Sequence, residues 1–234
     1  MDKNFSAFKN WKRIDELYPA PLFQKDLIDP SFVNQGKIGN CFLISALSRI
    51  AKQYYFVPLL FEIKLPNEIL GNVLNSINIK CGAVVIYLQA FGRKIPVLID
   101  TLIPVNEDNN PKLSHPSDST KSPWFSLVEK AMIKLYGTFS NLIRCYYEVI
   151  YSLFFYNVIK SKLITSFDDL LKYQNEGCIM SARTPEKVYR DDLWPKHSYS
   201  VLKVRNINGM KFLFLRNPWG HSEWKGDYSK ESSF

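Results

Sequence analysis

Gln35-Gly36-Lys37-Ile38-Gly39-Asn40-Cys41-Phe42-Leu43-Ile44-Ser45-Ala46-Leu47 changes character half-way along. Up to Asn40 it reads as a polar, glycine-bearing loop. From Cys41 onward Leu43, Ile44, Leu47, Ile50 and Ala51 recur at the spacing of one helix face. A cysteine therefore opens an apolar helix. The free N–H groups at a helix start favour a thiolate, the nucleophilic form of the side chain. Such a thiolate needs a base to take its proton and a third group to orient that base.

The far half of the chain carries both candidates. His197 opens a β-rich run, His197–Asn206, and Asn217 follows the next one, Met210–Arg216. Ile207-Asn208-Gly209 joins the two, and its Asn-Gly is a strong hairpin signal. Adjacent antiparallel strands would hold His197 and Asn217 side by side. Gln35, six residues before Cys41, is placed to aim an amide donor at an oxyanion. Order and spacing suit a Cys–His–Asn arrangement. A lone cysteine at a helix start is more often a packing residue; the company of Gln35, His197 and Asn217 reverses that reading.

Working outward, a second helix is expected over Trp124–Tyr136, where Phe125, Val128, Met132 and Leu135 keep the same period. Ala83–Phe91 and Lys94–Ile99 read as a hairpin turning at Gly92-Arg93. Residues 1–40 read as an extended arm broken by Pro19, Pro21 and Pro30, and Asn106–Ser122 as a polar loop. Ser166 with Asp168 and Asp169 predicts a capped helix ending at Gly177, and Cys178–Ala182 a first β-run. The expectation is an α+β chain with a mainly helical part over 1–155 and a β-rich part over 156–234.

Composition excludes several classes. Of 234 residues 46% are hydrophobic and 15% aromatic, which rules out a disordered chain. The net charge of +8 comes from scattered Lys and Arg without a basic run, so no nucleic-acid partner is expected. No uncharged apolar run reaches the roughly 18 residues that a membrane span needs. Met1–Asn10 is polar and carries no secretory signal, which makes a cytoplasmic location the default. Cys41, Cys81, Cys145 and Cys178 lack metal-site spacing, and reduced thiols are expected. His115 and His221 read as surface residues, and Trp194 either as packing or as part of a loop beside a cleft.

With these residues in hand, the chain resembles the calpain family. Gln35–Leu47 is similar to its nucleophile segment, and Lys196-His197-Ser198-Tyr199-Ser200-Val201 to its histidine segment. Leu215-Arg216-Asn217-Pro218-Trp219-Gly220-His221-Ser222-Glu223-Trp224-Lys225-Gly226 is similar to its asparagine segment. Pro123–Ala131 and Trp11-Lys12-Arg13 also match, in order, from about residue 11 to residue 229. The resemblance implies a papain-like, two-lobed cysteine protease core that hydrolyses peptide bonds of protein substrates inside the cell. Cys41 would be the nucleophile, His197 the base and acid, and Asn217 the ring-orienting amide. Gln35 and the Cys41 N–H would form the oxyanion hole, and Trp219 would shield the His197–Asn217 bond from water.

Departures from the family pattern set further expectations. Calpains usually carry Asp before the nucleophile and Trp after it, where this chain has Asn40 and Phe42; the lost charge is expected to be tolerated. Lys196 replaces a Gly beside the histidine and is expected to narrow or retune the cleft. The Gly-rich stretch after the Glu129 helix is replaced by Asn141–Val158, rich in Tyr and Phe. Calcium is the implied cofactor, one ion per lobe, held by hard oxygen ligands. Glu129 and Glu223 match one carboxylate ligand each, while Phe32 and Lys230 stand where others are expected. The chain stops at Phe234, before the last strands that the resemblance implies, so the β-rich lobe is expected to be incomplete, its regulatory domains or partner chains lying outside the sequence. The competing expectation is a catalytically silent calpain-like module that binds or scaffolds proteins.

Overall fold

Leu43, Ile44, Leu47 and Ile50 lie on a helix that is buried all round, and the rest of the N-terminal part wraps it. The computed structural model describes residues 8–20, 22, 25–53, 56–61, 81–90, 92–143, 146–155, 162–188, 193–221 and 224–229. In chain order the elements are β1 (Asn10–Arg13), α1 (Ile14–Leu17), β2 (Val33–Asn34), α2 (Cys41–Ala51), α3 (Phe56–Leu59), β3 (Ala83–Ala90), β4 (Arg93–Asp100), β5 (Leu102–Val105) and β6 (His115–Pro116). Then follow α4 (Trp124–Tyr136), α5 (Phe139–Ile143), α6 (Tyr147–Ser152), α7 (Phe167–Asn175), β7 (Ser181–Arg183), β8 (Ser198–Ile207) and β9 (Met210–Arg216).

Every residue of α2 from Phe42 to Ala51 is buried, and its apolar members share one continuous core with α4 residues Trp124, Phe125, Val128 and Met132. Among its described residues the N-terminal part mixes helix and strand. Three two-stranded antiparallel pairs, β1–β5, β2–β6 and β3–β4, surround these helices. Residues 10–34 are accordingly no free arm: Asn10 pairs with Val105, Val33 pairs with Pro116, and Ile14, Leu22, Ile28 and Val33 are buried. The prolines break the segment into short pieces, and each piece finds a distant partner. The β3–β4 pair places Ala90 opposite Arg93, so its turn comes one residue earlier than expected and includes Gly92. His115 is no solvated loop residue; it pairs with Asn34 and is half-buried.

The helix and three strands read from the sequence after Ser166 are present, with shifted edges. Ser166 caps α7 by accepting a hydrogen bond from Asp169 N at 3.1 Å. β7, β8 and β9 form one antiparallel sheet in that order. Asn208 and Gly209 turn the β8–β9 hairpin with φ of 51° and 84°, the left-handed pair that an Asn-Gly turn supplies without strain. The core beneath this sheet is small: Met180, Val201 and Val204, flanked by Phe167, Leu170 and Leu171 of α7. On β9 Leu213 and Phe214 stay 45% and 64% exposed.

Polar contacts join the two parts. Ser200 Oγ donates to Ser45 O at 2.9 Å, and Lys52 Nζ to Leu202 O at 2.6 Å. Tyr147 and Tyr151 of α6 reach Ala182 O and Ser181 Oγ at 3.3 and 2.9 Å. Gln35 N donates to Pro218 O at 2.8 Å, and Arg216 Nη2 to Asn34 Oδ1 at 2.9 Å. Gly220, at φ 73°, lies so close to Asn34 that a Cβ there would collide with its side-chain amide. No helix among the described residues is long and apolar enough to cross a membrane.

Candidate active site

Cys41 is the first residue of α2 and is half-buried, and its thiol is free of disulfide. Asn40 occupies the cap position without capping: its side chain accepts nothing from the helix. Its backbone carbonyl accepts from Leu43 N and Ile44 N at 2.9 and 3.2 Å. Among the described residues the N–H groups of Cys41 and Phe42 have no acceptor, so they stay available at the helix start beside the thiol.

The Asn40 side chain turns inward. Its Nδ2 donates to Glu129 Oε1 at 2.6 Å, and Ser114 N donates to Glu129 Oε2 at 2.6 Å. Asn40 and Glu129 are both 0% exposed. Burial pushes the Glu129 carboxyl up from its ordinary range, and hydrogen bonds from Ser114 and Asn40 act against that. Gln35 belongs to the same network: its Nε2 donates to Ile38 O at 2.5 Å, the carbonyl that also accepts from Asn40 N at 2.8 Å. The Gln35 amide is thus engaged within its own loop, and its Oε1 is buried without a partner among the described residues.

His197 and Asn217 meet across the end of the β8–β9 hairpin. His197 Nε2 lies 2.8 Å from Asn217 Oδ1. The surrounding bonds set the direction of that contact. Asn217 Nδ2 donates to His221 O at 3.0 Å, and Oδ1 also accepts from Trp219 N at 3.1 Å, so Oδ1 is an acceptor and Nε2–H the donor. The neutral ring then carries its lone pair on Nδ1. The Trp219 indole covers the ring at 4.3 Å and Tyr199 meets it edge-on at 4.9 Å. Burial lowers the His197 pKa from its usual 6.5, with the Asn217 bond opposing. Trp194 packs on Trp219 at 5.0 Å and remains half exposed. His221 is exposed, as its sequence position suggests.

Three contacts near the ring carry no local sequence signal. His197 N donates to Thr184 Oγ1 at 2.8 Å, and Thr184 N donates back to His197 O at 2.9 Å. Lys196 takes a φ of 53°, a left-handed conformation that costs a non-glycine residue about 1 kcal/mol. Its exposed ammonium pairs with Glu186 at 2.5 Å.

Of the expected site residues, His197, Asn217 and Trp219 form one cluster, and Cys41 and Gln35 lie on the neighbouring loop and helix start. No hydrogen bond joins Cys41 to His197 among the described residues. Glu223 and Cys145 lie outside the described residues, whereas Cys81 and Cys178 are exposed thiols. A calcium ion would need oxygen ligands converging on Glu129. In this structure each of its carboxylate oxygens takes one N–H donor. Among the described residues no group of three or more His, Cys, Asp or Glu could hold a metal.

Comparison with known proteins assigns the family. The model of the calpain family cysteine protease matches residues 2–234. The chain is 26% identical, over 95% of its length, to Calpain-5 of Caenorhabditis elegans, of which it covers 39%. It is 28% identical to Calpain-14 of Homo sapiens over 95% of this chain and 33% of that one. To Calpain-7 of Sus scrofa it is 26% identical over 97% of this chain and 29% of the other. The chain therefore spans well under half the length of these relatives. By its match over nearly its whole length, the chain belongs to the calpain family of cysteine proteases.

Proposed function

We propose that this chain is the papain-like core of an intracellular cysteine endopeptidase, with lobes over 1–155 and 156–234 and the cleft between them. In this reading Cys41 loses its proton to His197 Nδ1, and the thiolate attacks the carbonyl carbon of a peptide bond. The oxyanion is received by the free Cys41 N–H and by Gln35, whose amide must first leave Ile38 O. The imidazolium of His197 gives its proton to the departing amine, leaving a thioester on Cys41. His197 then takes a proton from water, hydroxide displaces the thiolate, and the acid is released. Asn217 keeps the ring in the tautomer this exchange needs, and Trp219 keeps water from their bond.

The observation that carries the reading is the 2.8 Å bond from His197 Nε2 to Asn217 Oδ1 beneath Trp219. A merely structural histidine has no need of a partner fixed by two further hydrogen bonds. The second reading, a silent protein-binding module, draws on Gln35 being tied to Ile38 O and on the absence of a described Cys41–His197 bond. Protein substrates and a cytoplasmic site of action belong to the first reading. Calcium control is carried by the resemblance, with one N–H donor on each Glu129 oxygen.

Covalent labelling with an epoxide or iodoacetamide probe, read by mass spectrometry with calcium and with chelator, decides between them. The protease reading expects fast labelling at Cys41 that drops in His197→Ala, together with cleavage of an unfolded protein substrate. Labelling of Cys41 no faster than of exposed Cys81 and Cys178, under both conditions, establishes the silent module.

A further inference from the structure

The Asn40–Glu129 contact has a direct bearing on the nucleophile. Asn is among the best helix-capping residues because its side-chain oxygen accepts from the N–H groups of the first turn. Asn40 stands at that place before α2 and withholds its cap. Its amide is drawn away by Glu129, 89 residues along the chain and on another helix. A cap would reach the N–H of Phe42 or Leu43; Leu43 N already donates to Asn40 O at 2.9 Å, so the N–H that the turned-away amide leaves without an acceptor is that of Phe42, next to Cys41.

Glu129 is itself fixed. It lies on α4 among Trp124, Phe125, Val128 and Met132, and its second oxygen takes the Ser114 N–H. Ser126 Oγ of the same helix holds Ser114 O at 2.6 Å. The pair is therefore a rigid bridge from the core of α4 to the residue that precedes Cys41. It extends to Gln35 through Ile38 O, which accepts from both Asn40 N and Gln35 Nε2.

We infer that Glu129 is a positioning residue for the nucleophile: its carboxylate holds the Asn40 amide off the start of α2, fixing the residue that precedes Cys41 and leaving the Phe42 N–H uncapped beside it. This rests on the reading of Cys41 as nucleophile. The chemistry requires a carboxylate facing an amide. A second carboxylate in place of Asn40 would put two carboxyl oxygens 2.6 Å apart in a buried site, a contact that holds only with a proton taken up between them. Exchanging the two groups restores complementarity. With Asn40→Asp and Glu129→Gln together, the glutamine oxygen accepts from Ser114 N and its amide donates to the aspartate.

The test measures iodoacetamide labelling of Cys41, peptide hydrolysis and thermal melting for wild type, Asn40→Asp and the exchanged double variant. Asn40→Asp is expected to slow Cys41 labelling and lower kcat by about a hundredfold with KM little changed, and the exchange to recover most of that loss. Recovery in the double variant is what mere packing would not give. An Asn40→Asp protein that fails to fold, beside a double variant that folds and labels, supports the inference equally. Asn40→Asp labelling at the wild-type rate, or a double variant no better than the single one, overturns it. So does a wild-type labelling rate that rises with calcium and loses that rise in Glu129→Gln, since Glu129 would then be a cation ligand. A wild type that labels at Cys41 yet cleaves nothing defeats the protease reading and leaves the labelling comparison to judge the bridge.

Discussion

Around Cys41, α2 is buried from Phe42 to Ala51, against β8 and within the continuous apolar core that also holds the large side chains of α4. Around His197 the apolar cluster is Met180, Val201 and Val204, and β9 leaves Leu213 and Phe214 in solvent. The histidine is instead fixed by Asn217, Thr184, Trp219 and Tyr199. Packing sets the place of Cys41; hydrogen bonds and ring contacts set that of His197. The two halves of one site therefore fail in different ways when disturbed.

Cutting into the packing gives the largest effect. Leu47→Ala removes a fully buried side chain from the main core and should cost about 2–5 kcal/mol. Val204→Ala, in the smaller cluster, should cost roughly 2 kcal/mol. Urea unfolding of both variants checks the contrast, and equal losses would break it. Asn217→Ala comes next. It strips the acceptor from a buried ring nitrogen, a loss of about 1–3 kcal/mol, and should lower kcat/KM by about ten- to a hundredfold. The melting temperature should move less than in Leu47→Ala, which calorimetry beside a peptide assay can read.

The smallest effect is electrostatic. His197 and His115 both have their pKa pushed below the usual 6.5 by burial. Their neutral forms are favoured in the fold, so the unfolded chain binds protons first as pH falls. Stability is full above 6.5 and is lost as pH drops from there toward the folded values. Unfolding curves on either side of 6.5 should show this loss, and His197→Gln should remove part of it. An unchanged pH dependence in that variant would mean that His115 and the carboxylates carry it.

The same contrast explains what the sequence made legible. α2 and α4 announce themselves through apolar period, the β8–β9 hairpin through Asn208-Gly209, and α7 through Ser166, because each signal lies within a few residues. His197, Asn217 and Cys41 could be picked out by order and spacing. The strands β1, β2, β5 and β6 could not: they are two to four residues long, broken by prolines, and paired across long separations such as Asn10 with Val105. Asn40 with Glu129 was hidden for the same reason. Each looked like an isolated departure or ligand, and only their placement at 2.6 Å shows a pair. Thr184 beside His197 left no local mark at all.

The hairpin between His197 and Asn217 bears, finally, on the order in which the site is assembled. The partners are 20 residues apart and their strands close on a two-residue turn, so little chain entropy is lost in bringing them together. Ser45, one turn beyond Cys41, meets Ser200 only across 155 residues. Contacts of that separation are the slow ones in a folding chain. The histidine and its asparagine thus pair early, and the thiol arrives last. On the proposed function, a partly folded chain would carry its histidine–asparagine pair and lack the thiol beside it.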